Sequence, residues 1–372
     1  MKILFAAGGT GGHINPALAT AGEIRERYPD AEILFVGTKD KMEAKLVPAA
    51  GFDFTTIKIS GFQRKISIEN IIRNIKTIFY LLFCTFSVKK IIKTFKPDVV
   101  VGFGGYVSGP VVRTAAKMGI PTAIHEQNAY PGITNKTLAK VVDRVMLTAE
   151  EAEKYMQCKN APIVTGLPVR GEMLRADRDF ARAKLGIRDD QKLILSMGGS
   201  LGAMTINNAM VDLITDNYKD ESLYFLHAMG QYGLWVPDKL KENGVDLKNA
   251  VNVEIREYIN DMDVCMPAAD VVICRAGASS LSELQALGKA SILIPSPNVA
   301  ENHQYHNAMA LVNKGAALII EEKDLTKEKM QCLFESLAND DANRKAIEAN
   351  AKAMAVDDAK EKIADIVISL VK

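Results

Sequence analysis

Three glycine-rich turns each follow a short apolar run. Gly8-Gly9-Thr10-Gly11-Gly12 follows Lys2–Ala7, Gly102-Phe103-Gly104-Gly105-Tyr106 follows Asp98–Val101, and Gly198-Gly199-Ser200-Leu201-Gly202-Ala203 follows Lys192–Met197. Bare N–H groups at a helix N-terminus, with the helix dipole behind them, attract phosphate. Glycine lets that backbone approach a ligand closely. In the first turn Asn15 is expected to cap the helix, with Pro16 at the first helical position. The spacing is neither G-x-x-x-x-G-K-[ST] nor G-x-G-x-x-G, which disfavours a P-loop or a dinucleotide site. One such turn is equally a plain strand-to-helix connection; three of them point to handling of more than one phosphate-bearing molecule. A fourth element, Cys274–Glu283, opens another helix. Ser279 and Ser280 are expected to cap it or to donate to a phosphate. For Glu283, compensation of the helix dipole is the simpler role, and acceptance of two ribose hydroxyls the alternative.

Short β-branched runs must position these turns. The expected strands are Lys2–Ala7, Ile33–Val36, Asp98–Val101, Thr122–Ile124, Arg144–Leu147 and Ile163–Thr165, then Lys192–Met197, Leu223–His227, Val251–Glu254, Val271–Cys274, Ser291–Ile294 and Ala317–Ile320. Segments with three-to-four spacing lie between them, as at Leu18, Ala21, Ile24 and Tyr28. Strands alternating with helices predict parallel sheets wound by right-handed crossovers, with ligands at the carboxyl ends of the strands. The pattern runs twice, so the chain is read as two domains, 1–166 and 167–349, hinged near Gly166. The last helix, from about 350 to 372, is expected to pack back on the first domain. The charged stretch Arg175–Asp190 is expected to be a solvated helix and turn.

The 372 residues are 48% hydrophobic and 24% charged, and Lys+Arg 46 against Asp+Glu 45 leaves a net charge of +1. That composition excludes a disordered chain, a fibre or a polyanion binder by bulk charge. The five cysteines form no C-x-x-C pair, which argues against a disulfide framework or zinc site and fits a reducing cytosol. No secretory signal is read at the N-terminus. The longest apolar run, near Ile78–Phe86, is far short of the ~20 residues of a membrane span. Charge is uneven locally: from Lys58 to Lys96 nine basic residues face one acid, Glu69. Ile75, Phe79, Leu82, Phe83 and Phe86 interleave with them, ahead of Lys89, Lys90 and Lys93. A basic amphipathic helix with aromatic anchors can lie on an anionic membrane surface, although part of the stripe must pack on the sheet. A nucleic-acid reading of this charge lacks any matching motif.

Taken in order, GGTGGHINPALA at 8–19, GGYVSGP at 104–110, HEQN at 125–128, GLPVR at 166–170, GGSLGA at 198–203, CRAGASSLSE at 274–283 and ENHQYHNA at 301–308 resemble the MurG family across essentially the whole chain. The resemblance implies a GT-B glycosyltransferase fold, α/β, with two Rossmann-like doubly wound parallel-sheet domains facing a cleft. It implies a peripheral enzyme at the cytoplasmic face of the cell membrane in peptidoglycan synthesis. That enzyme would move N-acetylglucosamine from UDP-N-acetylglucosamine to the C4 hydroxyl of the muramoyl sugar of undecaprenyl-linked lipid I, giving lipid II and UDP. Carried over by motif, Thr10, Gly11, Gly12 and Asn128 would line the donor sugar. Arg170 and Ser200 would lie near the diphosphate, and Ile259 would meet uracil through its backbone. Ala278, Ser279, Ser280, Leu281, Ser282 and Glu283 would hold uridine and phosphate, and Gln304 the transferred sugar. Some members carry Gln where this chain has His303.

Inverting glycosyl transfer is one in-line displacement that needs a base and stabilisation of the departing diphosphate. Helix N-termini and Arg170 suffice for the charge, so no metal or other cofactor is expected; Asp261-Met262-Asp263 reads more simply as a helix start. His13, beside the first turn and titrating near neutral pH, is the first choice of base, unless it only positions the loop or acceptor. Glu126 is an alternative, because a buried carboxylate has a raised pKa. His125 is a third choice, and Tyr106, His125 and Asn135 are expected acceptor-side contacts. The rival activity is a UDP-N-acetylglucosamine 2-epimerase, which would need neither acceptor nor membrane.

Overall fold

The computed structural model describes residues 1–59 and 84–371. The chain divides into two compact units, Met1–Pro168 with Asp358–Lys372, and Val169–Asp357. Among the described residues the first unit holds seven strands: β1 Lys2–Ala6, β2 Glu32–Gly37, β3 Asp53–Thr56, β4 Val99–Gly102, β5 Thr122–Glu126, β6 Arg144–Leu147 and β7 Ile163–Val164. All pair in parallel in the order β3-β2-β1-β4-β5-β6-β7. The second unit holds β8 Lys192–Met197, β9 Leu223–Ala228, β10 Val253–Arg256, β11 Val271–Cys274, β12 Ala290–Leu293 and β13 Leu318–Ile319, in the order β10-β9-β8-β11-β12-β13. In each sheet the order reverses at one pair, β1/β4 and β8/β11, and such switch points are where open α/β sheets take ligands. All four turns singled out above follow one of these four strands.

The central strands are apolar on both faces because both faces are covered. Ile3 and Phe5 of β1 pack with Ile14, Ala17 and Ala21 of the helix Gly11–Arg27 and with Ile363, Ala364 and Val367 of the last helix, Ala359–Ser369. Leu4 and Ala6 point the other way, onto Val107 and Val111 of the helix Gly105–Lys117 and onto Val88 and Ile92. The last helix is also tied to the first by ion pairs, Lys360 with Glu23 at 2.7 Å and Arg27 with Asp365 at 2.6 Å.

Three expectations need correction. The first helix begins at Gly11 with Thr10 as its N-cap, not at Asn15, and Pro16 lies inside it. The helix gives up only the one hydrogen bond that residue 16 lacks an N–H to make. Neither Ser279 nor Ser280 caps the helix Ala278–Leu287; Gly277 stands at the cap, and no side chain bonds there. The charged stretch is not wholly solvated, because Arg182 is 4% exposed. Its guanidinium donates to Asp270 Oδ2 at 3.0 Å and to the carbonyls of Ala268, Arg188 and Gln191.

Asp270 also accepts from Arg178 and from the amide of Leu193 at the edge of β8. It pins the charged helix to β8 of the second sheet. Asp270→Ala would leave the buried guanidinium without its counter-charge, an expected loss of about 3–5 kcal/mol. Urea unfolding of the variant checks this; a loss under about 1 kcal/mol would place the Arg182 charge in contact with water.

Candidate active site

In the first unit the turns after β1 and β4 touch through backbone. Gly105 has φ 75°, and a side chain there would collide with the Gly8 carbonyl, so only glycine permits this approach. Ser108, fully buried, directs its hydroxyl to Ala6 O and Gly104 O, each at 2.7 Å. Glu43, also fully buried, accepts from Gly9 N at 3.2 Å and from Thr38 N and Oγ1. Nothing in the sequence marks Glu43 as a support of the glycine turn, since Gly9 lies 34 residues from it along the chain.

His13 stands on the first turn of the helix Gly11–Arg27, next to Thr10, Gly11 and Gly12. Its Nδ1 lies 3.2 Å from both Gly8 O and Thr10 Oγ1. A carbonyl only accepts, so this contact puts the proton of the neutral ring on Nδ1 and the lone pair on Nε2. That tautomer suits a base acting through Nε2.

Glu126 is 2% exposed, at the end of β5. Oε1 accepts from Asn128 N at 2.9 Å and Asn128 Nδ2 at 3.1 Å; Oε2 accepts from Gly132 N at 3.2 Å and Asn135 Nδ2 at 2.8 Å. Burial pushes its pKa up against the pull of these donors. With both oxygens so engaged, the carboxyl organises the loop 127–135 and offers no open lone pair to a substrate proton. Asn135 is 3% exposed, and its Nδ2 donates to Glu126 Oε2 at 2.8 Å and to His125 O at 3.2 Å. His125 is fully buried and stacked 5.4 Å from Phe103. Its Nε2 donates to Gly166 O at 2.9 Å, and burial pulls its pKa down to about 4. It is a neutral tether between β5 and the Gly166 turn, not a base for a substrate. Tyr106 and Asn128 are both half-buried, Tyr106 beside Gly9.

In the second unit the helix Ala278–Leu287 presents an uncapped N-terminus after β11, with Ala278, Ser279 and Ser280 half-buried and Leu281 and Ser282 buried. Arg170 Nε and Nη2 both reach Glu283 Oε1, at 3.1 and 3.0 Å. Glu283 is 14% exposed and Arg170 49%. Burial raises the Glu283 pKa, and Arg170 opposes the rise. The structure thus brings together two residues the sequence could only name separately.

Ser200 is exposed after β8. A cavity of about 400 Å³ nearby is lined by Gly198, Gly202, Ala203, Arg275, Ser296 and Gln304, among others. Gln304 Oε1 accepts from Ser296 N at 2.9 Å. Arg275 pairs with Glu322 across its rim, a pair that the motif reading did not include. Just before Gln304, Glu301 and Asn302 both hold left-handed backbone, φ 53° and 49°; such strain in non-glycine residues collects at functional sites. His303 Nδ1 donates to Ala300 O at 2.7 Å. The Ile259 side chain is buried beyond β10, and Asp261, at the start of the helix Met262–Ala268, accepts from Arg256 at 2.8 Å.

The glycosyltransferase family 28 N-terminal domain matches residues 3–147, and the family's C-terminal domain matches residues 193–366. A protein of Acetivibrio thermocellus named UDP-N-acetylglucosamine–N-acetylmuramyl-(pentapeptide) pyrophosphoryl-undecaprenol N-acetylglucosamine transferase is 45% identical, covering 100% of this chain and 99% of its own. A protein of the same name from Desulforamulus reducens is 48% identical over 91% of each chain. Among solved structures, Acinetobacter baumannii MurG superposes with a TM-score of 0.81 at 29% identity, covering 99% of both chains. A UDP-GlcNAc 2-epimerase from Neisseria meningitidis shares the fold at a TM-score of 0.65 and 15% identity.

Proposed function

We propose a catalytic reading from the premise that this chain belongs to glycosyltransferase family 28 and, within it, to the MurG transferases. The enzyme transfers N-acetylglucosamine from UDP-N-acetylglucosamine to the muramoyl C4 hydroxyl of lipid I, forming lipid II and UDP. Full-length identity of 45% to a transferase of that name carries the conclusion. The epimerase likeness, at 15% identity, reaches only the fold. The test is purified protein with labelled UDP-N-acetylglucosamine, with and without a lipid I analogue. Acceptor-dependent UDP release is expected; epimer formed without acceptor would overturn the assignment.

In our reading His13 Nε2 takes the C4 proton while the acceptor oxygen attacks the sugar C1, and UDP departs with the bonding pair. The open N-terminus of the helix Ala278–Leu287 and the guanidinium of Arg170 stabilise the departing diphosphate. Glu283 takes the ribose hydroxyls. Because Glu283 is paired with Arg170 in this structure, donor binding would exchange partners: ribose replaces the guanidinium on the carboxylate, and Arg170 turns to phosphate. Thr10, Gly11, Gly12 and Asn128 would contact the sugar, and Ser200, Ile259 and Gln304 the donor.

Glu283→Ala is expected to raise the KM for UDP-N-acetylglucosamine by about 10–100-fold, the worth of hydrogen bonds to a charged group. Its kcat should fall much less, because the contact lies away from the reacting carbon. Steady-state kinetics decide, and an unchanged donor KM would remove Glu283 from the ribose.

No helix among the described residues is long and apolar enough to cross a membrane. We place the enzyme peripherally at the cytoplasmic face, held by the basic surface around Lys89, Lys90 and Lys93. Ile75, Phe79, Leu82 and Phe83, the other contacts expected there, lie outside the described residues.

A further inference from the structure

Loop 257–260 joins β10 to the helix Met262–Ala268 at the carboxyl end of the second sheet. It is irregular, and Glu257, Tyr258 and Asn260 are exposed; the Ile259 side chain, 4% exposed, is its inward anchor. Arg256, the last residue of β10, and Asp261, just before the helix, close the loop: Arg256 Nη1 donates to Asp261 Oδ1 at 2.8 Å. The same guanidinium donates from Nε to Glu254 Oε1 at 2.7 Å, and Glu254 accepts from the Tyr224 hydroxyl of β9 at 3.2 Å. The Cys265 sulfur, fully buried, lies 3.6 Å from Nη1. Aspartate is a favoured helix cap, yet Asp261 makes no cap bond at the helix start; its carboxylate reaches back across the loop instead. The near end of the loop is joined to the turn after β8 by way of Gly230. Gly230 N donates to Glu257 O at 2.9 Å, and a side chain on Gly230 would collide with the backbone of Leu201 and Gly202.

We propose that the Arg256–Asp261 pair is a strap that sets nucleobase specificity: it holds the backbone of loop 257–260 in the form that reads uracil, so that both are positioning residues for the donor. The proposal rests on the reading that uracil meets the Ile259 backbone. An exposed irregular segment samples many conformations, and a ligand that binds its backbone must first order it. One ion pair across the loop restricts that sampling before the donor arrives. The pair is partly sheltered, Arg256 being 23% exposed and Asp261 39%, so water and salt screen it incompletely. Neither group meets the reacting carbon in this role, so the strap acts on affinity for the nucleotide and not on the transfer step.

Arg256→Met is expected to raise the KM for UDP-N-acetylglucosamine by about three- to tenfold, with kcat within about twofold of the parent. Asp261→Asn should do the same, and the double variant no more than either, because both remove one contact. Arg256→Lys, which keeps a cation opposite Asp261, should recover part of the loss. Inhibition by UDP and by CDP, which differ only in the base, separates reading of the base from general support of the fold. In Arg256→Met inhibition by UDP should weaken by about the same factor as the KM rises, and inhibition by CDP much less, so that the preference for UDP narrows. Equal weakening of both, or a preference equal to the parent's, overturns the proposal. Hydrogen exchange of the unaltered protein tests the underlying reading: UDP should slow exchange of the amides of 257–260. If it does not, uracil lies elsewhere, and the Ile259 reading fails with the strap. If it does and the variants keep the parent's preference, only the strap fails. Should Arg256→Met not fold, Asp261→Asn carries the same test.

Discussion

His13→Ala is expected to lower kcat by about 10²–10⁴-fold, the usual worth of a positioned general base. The KM for UDP-N-acetylglucosamine should stay within about twofold, because the proton is taken from the acceptor and not from the donor. The expectation rests on geometry more than on the presence of a histidine. The Gly8 carbonyl holds Nδ1 as the donor, which makes Nε2 the basic nitrogen of the neutral ring. The rival bases are buried. His125 is fully buried with its pKa drawn down to about 4, and Glu126 already meets four donors. Glu126→Gln should therefore act through the loop, as a fall in stability and in acceptor affinity, without abolishing the acid limb of the pH profile. Steady-state kinetics of the two variants across pH 5–9 are the check. A His13 variant that keeps kcat, beside a Glu126 variant that loses the limb, would reverse the assignment.

The strands were legible because a parallel sheet covered on both faces writes itself as unbroken apolar runs, such as Val99-Val100-Val101 and Val271-Val272-Ile273. β3 was not: Asp53-Phe54-Thr55-Thr56 is an edge strand with mixed polarity, and the run resembles a loop. The start of the first helix was misread for a related reason. Asn15-Pro16 has the local chemistry of a helix start, yet the positive φ of Gly9 turns the chain early, and packing of Ile14 and Ala17 on β1 carries the helix through the proline. The site divides the same way. Turns, His13, Arg170 and Glu283 stood out because glycines in series and charges in a motif are unusual. Glu43 did not, because a lone Glu means nothing until Gly9, 34 residues away, is folded against it; Gln127 lies in the HEQN motif, but its contact with Phe103, 24 residues away, appears only in the fold. For Asn135 and His125 burial decides contacts that a motif cannot show: Asn135 turns onto Glu126, and His125 onto the Gly166 turn.

Lys89→Glu, Lys90→Glu and Lys93→Glu combined should weaken binding to anionic vesicles by at least about a hundredfold. Each basic group near such a surface is worth about 1 kcal/mol, and reversal adds repulsion to the loss. The helical residues 84–95 separate the two roles that the sequence left superimposed. Cys84, Val88 and Ile92, four apart, are buried against the sheet, while Phe86 is 71% exposed and Lys89, Lys90 and Lys93 stand in solvent. The packing stripe is therefore accounted for without the lysines. Substitution at those three positions should leave the fold intact, so thermal unfolding should match the parent. Salt supplies an independent reading, because charges on a surface are screened over about 10 Å at 0.1 M. The parent should lose vesicle binding between low and high ionic strength, and the triple variant should show little to lose. Activity should split in the same way. With a short-chain soluble acceptor the variant should turn over like the parent; with lipid I embedded in anionic vesicles it should slow in proportion to its lost binding. Equal vesicle binding by parent and variant would mean that this surface faces water or another protein, and that the acceptor is reached by some other part of the chain.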